Sequence, residues 1–175
     1  MSLTTIKRHA IFTNEEQKAN KKQGIKMALF LSSYENRLDT KGRISVPAAF
    51  RSSLVNENFA GVVLFRSFTH NCIEGLSMSR MEKMANATDK MGEFDNDLDD
   101  LSALLFADAR PLAFDVTGRI VIPEELLKHA NITDSALFVG RGNSFQIWNP
   151  SDFERVQQTS LSNLRKTRPN LKISD

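Results

Sequence analysis

One nine-residue phrase occurs twice in this chain. Residues 39–47 read Asp-Thr-Lys-Gly-Arg-Ile-Ser-Val-Pro, and residues 115–123 read Asp-Val-Thr-Gly-Arg-Ile-Val-Ile-Pro. At a spacing of 76 residues, Asp39 matches Asp115, Gly42 matches Gly118, Arg43 matches Arg119, Ile44 matches Ile120 and Pro47 matches Pro123, with Val46 and Ile122 a conservative pair. Self-similarity at a fixed spacing is the mark of repeated structural units. A chain of 175 residues has room for one ordinary domain or two small ones. The repeat decides for two related half-length units.

Each phrase has a physical grammar. Asp-x-x-Gly suits a reverse turn, with Asp39 or Asp115 at its first position and Gly42 or Gly118 at its fourth. Alternating apolar residues follow, Ile44 and Val46 in one copy and Ile120 and Ile122 in the other, as a half-buried strand requires. Pro47 and Pro123 then end the strand and suit the first turn of a helix, where a missing N–H costs nothing. In the second copy Glu124 and Glu125 stand at the expected helix start and Lys128 and His129 near its end, matching the helix dipole. Phe50 and Leu54 in the first copy, and Leu126 and Leu127 in the second, supply an apolar face. Further on, Ala136–Val139 and Phe145–Trp148 read as strands around a Gly140-Arg141-Gly142-Asn143 turn, and Asn149-Pro150 as cap and first residue of a helix. Val62–Phe65 and a weaker stretch near Cys72-Ile73 are the counterparts in the first copy.

The parse is therefore a first unit at 33–80, an acidic helical connector at 81–107, a second unit at 108–152, and a C-terminal helix with basic tail at 153–175. Residues 1–26 lack sustained periodicity and read as a disordered extension or a start-site artefact, since Met27-Ala28-Leu29-Phe30-Leu31 would itself serve as a beginning. The connector reads as helix over 79–106, with Met81, Met84, Ala85, Phe94, Leu98, Leu101, Leu104 and Leu105 at three- and four-residue spacing. Its polar side carries Asp89, Glu93, Asp95, Asp97, Asp99, Asp100 and Asp108, a solvated face expected to point away from any polyanion. The expected class is α+β and β-rich, two tandem pseudo-symmetric units.

Charge has to be divided along the chain before it is used. Residues 1–26 hold six basic and two acidic side chains and residues 165–175 four and one, which leaves 13 basic and 18 acidic side chains in 27–164, a net of −5 beneath an overall +2. A nucleic-acid role must then rest on where positives lie, not on their sum. The single cysteine, Cys72, excludes an intrachain disulfide and argues for a reducing compartment, hence a cytoplasmic location. Three histidines and one cysteine are too few and too scattered for a structural metal site, and no apolar run approaches a membrane span.

The positives do concentrate at the first turn. Arg37, Lys41 and Arg43 lie within seven residues with Asp39 as the sole acid. Arginine reads guanine or clamps phosphate, lysine is a point charge for phosphate, and a turn between strands can enter a major groove. The aspartates more naturally shape their turns, through backbone N–H groups or the arginine, than touch DNA. At the second turn Val116 and Thr117 replace Thr40 and Lys41, leaving Arg119 as the candidate contact. The first turn therefore carries more of the charge that a polyanion contact needs; taken with the family resemblance that follows, the first unit is expected to dominate DNA contact and the second to serve ring assembly.

These two motifs resemble the paired Asp-x-x-x-Arg signature of the MraZ family of bacterial transcriptional regulators. Met27–Tyr34, Arg66-Ser67-Phe68, Asn71–Glu74 and Phe145–Trp148 fit it too, so that the resemblance spans about 27–155. It implies two tandem AbrB-like β-rich units, a closed homo-oligomeric ring, and repression at the promoter of a division and cell-wall gene cluster through double-stranded DNA repeats, in the cytoplasm at the nucleoid. Arg37, Lys41, Arg43 and Arg119 become the expected DNA contacts, and Asp39, Gly42, Pro47, Asp115, Gly118 and Pro123 the turn-shaping residues. No cofactor, metal, membrane or small-molecule substrate is implied. The alternative from another class is an AbrB-like oligomeric interaction or antitoxin-type module without promoter specificity.

An enzyme has the least support. Gly140–Asn143 lacks the Lys-Ser/Thr of a phosphate loop and sits between strands as a hairpin turn would. His70 and Cys72 have no orienting partner, and His129 reads as a helix-end residue.

Overall fold

The computed structural model describes residues 28–90 and 96–167. The segment 1–26, the connector residues Glu93, Phe94 and Asp95, and the tail residues Arg168 and Lys172 lie outside the described residues, as do the side chains at 89, 90, 96–99 and 101. Each repeat lays out the same series. The first gives β1 (Ser33–Arg37), β2 (Arg43–Ser45), α1 (Ala48–Ser53), β3 (Gly61–Arg66), β4 (Ile73–Leu76) and α2 (Met78–Lys90). After α3 (Asn96–Asp108), the second gives β5 (Arg110–Ala113), β6 (Arg119–Val121), α4 (Glu124–His129), β7 (Ser135–Gly140), β8 (Phe145–Trp148) and α5 (Pro150–Thr167). The chain is a mixed α+β, strand-rich fold.

The repeats interleave. One antiparallel sheet runs β1-β7-β8-β4-β3-β5, and β2 and β6 form a separate two-stranded ribbon. The first strand of each repeat therefore pairs with the third strand of the other: Ser33 faces Val139 across β1 and β7, and Gly61 faces Ala113 across β3 and β5. The equivalent strands β4 and β8 meet in the middle, Glu74 opposite Gln146, where Gln146 Nε2 donates to Glu74 Oε1 at 2.7 Å. Neither repeat can complete its own sheet from its own residues.

Alternation on these strands builds the core. Ile44, Val46, Ile120 and Ile122 point inward from the ribbon, and Leu126 and Phe50 descend from the short helices that follow it. The Phe50 ring lies 5.2 Å from Phe30 and 5.3 Å from Phe145, centroid to centroid, the spacing that aromatic pairs favour. Truncation of such a fully buried phenylalanine costs about 3–5 kcal/mol. The two longest strands, each one in from an edge of the sheet, differ. β3 is buried on both faces because α2 and α3 cover one of them, with Val63 and Phe65 against Met81 and Leu105. β7 is buried on one face only, and α5 beyond it has no buried residue.

Two sequence expectations change. The helix read across 79–106 is seen as α2 and α3 on either side of residues 91–95, which lie outside the described residues. Asp108 does not belong to a solvated acidic face. Its carboxylate is buried and accepts from the Arg66 backbone N–H at 2.8 Å and from the Arg66 guanidinium at 2.7 Å, and that arginine holds it below the usual carboxylate range. The reason lies in the strand exchange. At the end of β7 the Gly140 N–H finds the Ser32 carbonyl; at the matching end of β3 the preceding segment is helical, and a side-chain oxygen takes the backbone's place. Asn149 caps α5 as its sequence suggests, its Oδ1 accepting from the Ser151 N–H at 3.0 Å. Pro47 and Pro123 stand one position ahead of their helices, their carbonyls accepting the first helical N–H groups.

Candidate nucleic-acid interface

Each phrase folds into the same tight loop. Asp39 Oδ1 accepts from the backbone N–H of Lys41 at 2.9 Å and of Arg43 at 3.0 Å, while Oδ2 accepts from Arg43 Nε at 2.7 Å. Asp115 Oδ1 accepts from the backbone N–H groups of Thr117 and Arg119 at 2.8 and 3.0 Å and from the Thr117 hydroxyl at 2.7 Å, with Arg119 Nε on Oδ2 at 2.9 Å. Gly42 and Gly118 close the turns at φ +74° and +77°, a region that a Cβ makes costly. The Arg43 backbone N–H and then its guanidinium hold the Asp39 carboxyl down at about 2. The Thr117 hydroxyl and then the Arg119 N–H hold Asp115 well below the ordinary range. Each carboxylate is thus committed inward, organising a loop and orienting an arginine.

The loops are also tied to each other. The Gly118 carbonyl accepts from the Val46 N–H at 3.1 Å, and the Gly42 carbonyl from the Ile122 N–H at 2.9 Å. Between them runs the β2–β6 ribbon, with Arg43 opposite Val121, Ile44 opposite Ile120 and Ser45 opposite Arg119. Ile44 and Ile120 are buried, so strand alternation sends Arg43, Ser45, Arg119 and Val121 to the outer face. Arg43 and Arg119 are then diagonal neighbours, roughly 7–8 Å apart by strand geometry. Their ion pairs to Asp39 and Asp115 engage Nε, and among the described residues the Nη groups have no carboxylate partner, which leaves the fork of each guanidinium for an anion. Lys41 projects from the exposed first turn and Arg37 from the exposed end of β1, neither in an ion pair among the described residues.

The structure thus brings together two arginines that the sequence places 76 residues apart on separate turns. The two arginines of the repeats share one ribbon. A further cation, unread in the sequence, stands beside the second turn: Arg51, on α1 of the first repeat, donates from Nε to the Val46 carbonyl at 3.2 Å, and its guanidinium carbon would sit 2.6 Å from a Cβ placed on Gly118. The only signal for it is the strand exchange, since 67 residues separate Arg51 from Gly118 in sequence.

Other candidates resolve without chemistry. Cys72 is buried, and desolvation pushes its thiol up to about 12, far from a nucleophile. The His70 ring packs 5.5 Å from Trp148. His129 ends α4 with a buried Nε2 that has no hydrogen-bond partner among the described residues. Gly140–Asn143 is a hairpin turn whose Gly142 exchanges backbone hydrogen bonds with Phe30. No group of three or more potential metal ligands occurs among the described residues, and no described helix is long and apolar enough to cross a membrane.

Comparison with known proteins matches this chain to the family described as "MraZ protein, putative antitoxin-like" over residues 29–101 and 105–171. It is 42% identical over 144 residues to a transcriptional regulator MraZ from Pelagibacter ubique, covering 82% of this chain and 93% of that protein. A protein of the same name from Gluconobacter oxydans is 42% identical over 142 residues, covering 79% and 87%, and one from Rickettsia peacockii 41% over 129 residues, covering 74% and 87%. The chain belongs to the MraZ family.

Proposed function

We propose that this chain is a DNA-binding transcription regulator that represses the division and cell-wall gene cluster carrying its own promoter. It reads repeated duplex sites there through its Asp-x-x-x-Arg turns, displayed on a closed ring of identical subunits in the cytoplasm at the nucleoid. The carrying observation is the exposed ribbon on which Arg43 and Arg119 converge. An antiparallel β-ribbon fits the major groove, where arginine reads guanine bidentately and lysine takes phosphate. Arg37, Lys41, Arg43 and Arg119 are the contacts, and Asp39, Gly42, Pro47, Asp115, Gly118 and Pro123 hold them in place. Family membership supports the regulatory reading, as the relatives are named transcriptional regulators.

A single ribbon offers few phosphate contacts. A ring repeats the ribbon, so tandem sites are engaged together with an avidity gain of roughly 10²–10⁴. Binding of a labelled duplex from the region upstream of its own gene, with a shuffled duplex as control, tests the reading. Preference for the upstream duplex, with affinity falling steeply as salt rises, is the expected result. Equal binding of both duplexes would favour an antitoxin-type interaction module instead, and failure to bind either would end the DNA reading.

A further inference from the structure

The two turns differ in where their positive charge comes from. Lys41 lies on the first turn, and the matching position of the second is Thr117, whose hydroxyl is spent on Asp115. Beneath the first turn sits Leu127 of α4, with Cδ1 3.7 Å from a Cβ placed on Gly42. Beneath the second, at the equivalent helical position, sits Arg51 of α1, its Cδ, Cζ and Nη1 all within 2.7 Å of a Cβ placed on Gly118. Leu127 and Arg51 are 76 residues apart, in register with the repeat. The charged turn thus has an apolar side chain behind it, and the turn without a lysine has a guanidinium. Arg51 is half-buried and donates from Nε to the Val46 carbonyl. Among the described residues it forms no ion pair, whereas Arg43 and Arg119 each hold an aspartate.

An unpaired cation in this position has a straightforward use. A guanidinium has five N–H donors, and the bond to Val46 occupies one. Its Nη1 lies against a turn whose Thr117, Gly118 and Arg119 N–H groups are already committed to Asp115. We propose that Arg51 makes the DNA-phosphate contact of the second turn, replacing across the strand exchange the lysine that this turn lacks. The inference rests on the DNA-binding reading above and adds that the first repeat supplies positive charge to both turns.

The test is the salt dependence of duplex binding for the full chain, read by fluorescence anisotropy with the upstream duplex. Arg51→Gln keeps an N–H donor for the Val46 carbonyl and removes the charge; Arg51→Lys keeps the charge. A phosphate contact contributes about 0.9 to the log–log salt slope for each protomer engaged. Arg51→Gln is expected to flatten the slope by that amount, Arg51→Lys to preserve it, and Thr117→Lys in the Arg51→Gln background to restore it by placing the cation where Lys41 has its own. Thermal unfolding of each variant separates this from a loss of fold. Weaker binding by Arg51→Gln at an unchanged slope, or a slope that Thr117→Lys does not restore, would reduce Arg51 to a structural staple and overturn the proposal. Wild-type protein that binds no duplex would instead remove the DNA reading itself.

Discussion

The turns at Asp39 and Asp115 are alike in backbone and unlike in charge. Both close on an aspartate accepting two backbone N–H groups and an arginine Nε, and both end in a left-handed glycine. One then displays Lys41, the other Val116 and Thr117, and Val116 is fully exposed. The comparison separates two jobs that one motif performs: the Asp–Gly frame shapes the loop, and the residues within the frame set what it touches. Because the frame is kept in both copies, a difference in binding between them reports on side-chain charge and not on fold.

The largest expected effect follows from stripping the first turn. Lys41→Met with Arg43→Met removes two contacts of roughly 1–3 kcal/mol each, so duplex affinity should drop at least about thirtyfold in a gel-shift titration, while light scattering should find the proposed ring unchanged. Arg119→Ala should cost about tenfold, one contact of that kind. Equal loss from the two changes would erase the asymmetry between the turns.

Glycine substitutions probe the frame. Gly42→Ala and Gly118→Ala both force a side chain into the left-handed region, at about 1–2 kcal/mol each by thermal or urea unfolding. They differ in what the new methyl meets. At Gly42 it approaches the fixed Ile122 carbonyl at 3.0 Å, and at Gly118 the flexible Arg51 side chain. Gly118→Ala should therefore displace Arg51 and weaken DNA binding beyond its effect on stability.

The smallest effect is on acid stability. With native carboxyl pKa values below those of the unfolded chain, each aspartate stabilises the fold above its ordinary pKa, and that contribution is lost as pH falls. For Asp39 the loss runs from near 3.8 down through about 2, and for Asp115 it extends lower. Melting temperature followed from pH 5 downward should decline less steeply in Asp39→Asn than in wild type. An unchanged decline would mean that the frame is held by glycine geometry alone.

Much of this was legible from local chemistry. Asp, Gly and Pro spell out turn, left-handed residue and strand end, and the 76-residue offset carries over intact to β2 and β6 and to α1 and α4. Pairing partners were not legible. β1 reads Ser-Tyr-Glu-Asn-Arg, a polar stretch with no buried residue, and nothing in it names the strand it pairs with, so the exchange of first strands had no sequence signature. Arg51 was missed for that reason. Asp108 was misread because the backbone N–H of Arg66, at the end of β3, takes its carboxylate as partner, a demand that arises only after the strands are placed.

The exchange of strands also sets a schedule. Ser33 finds its pairing partner in Val139, 106 residues later. A ribosome adds about 5–20 residues each second, so β1 waits several seconds or more for the strand that will cover its edge. Contacts this distant in sequence also slow folding of the finished chain. In a growing cell, the time between translation and a competent regulator is therefore written partly into the order of the strands.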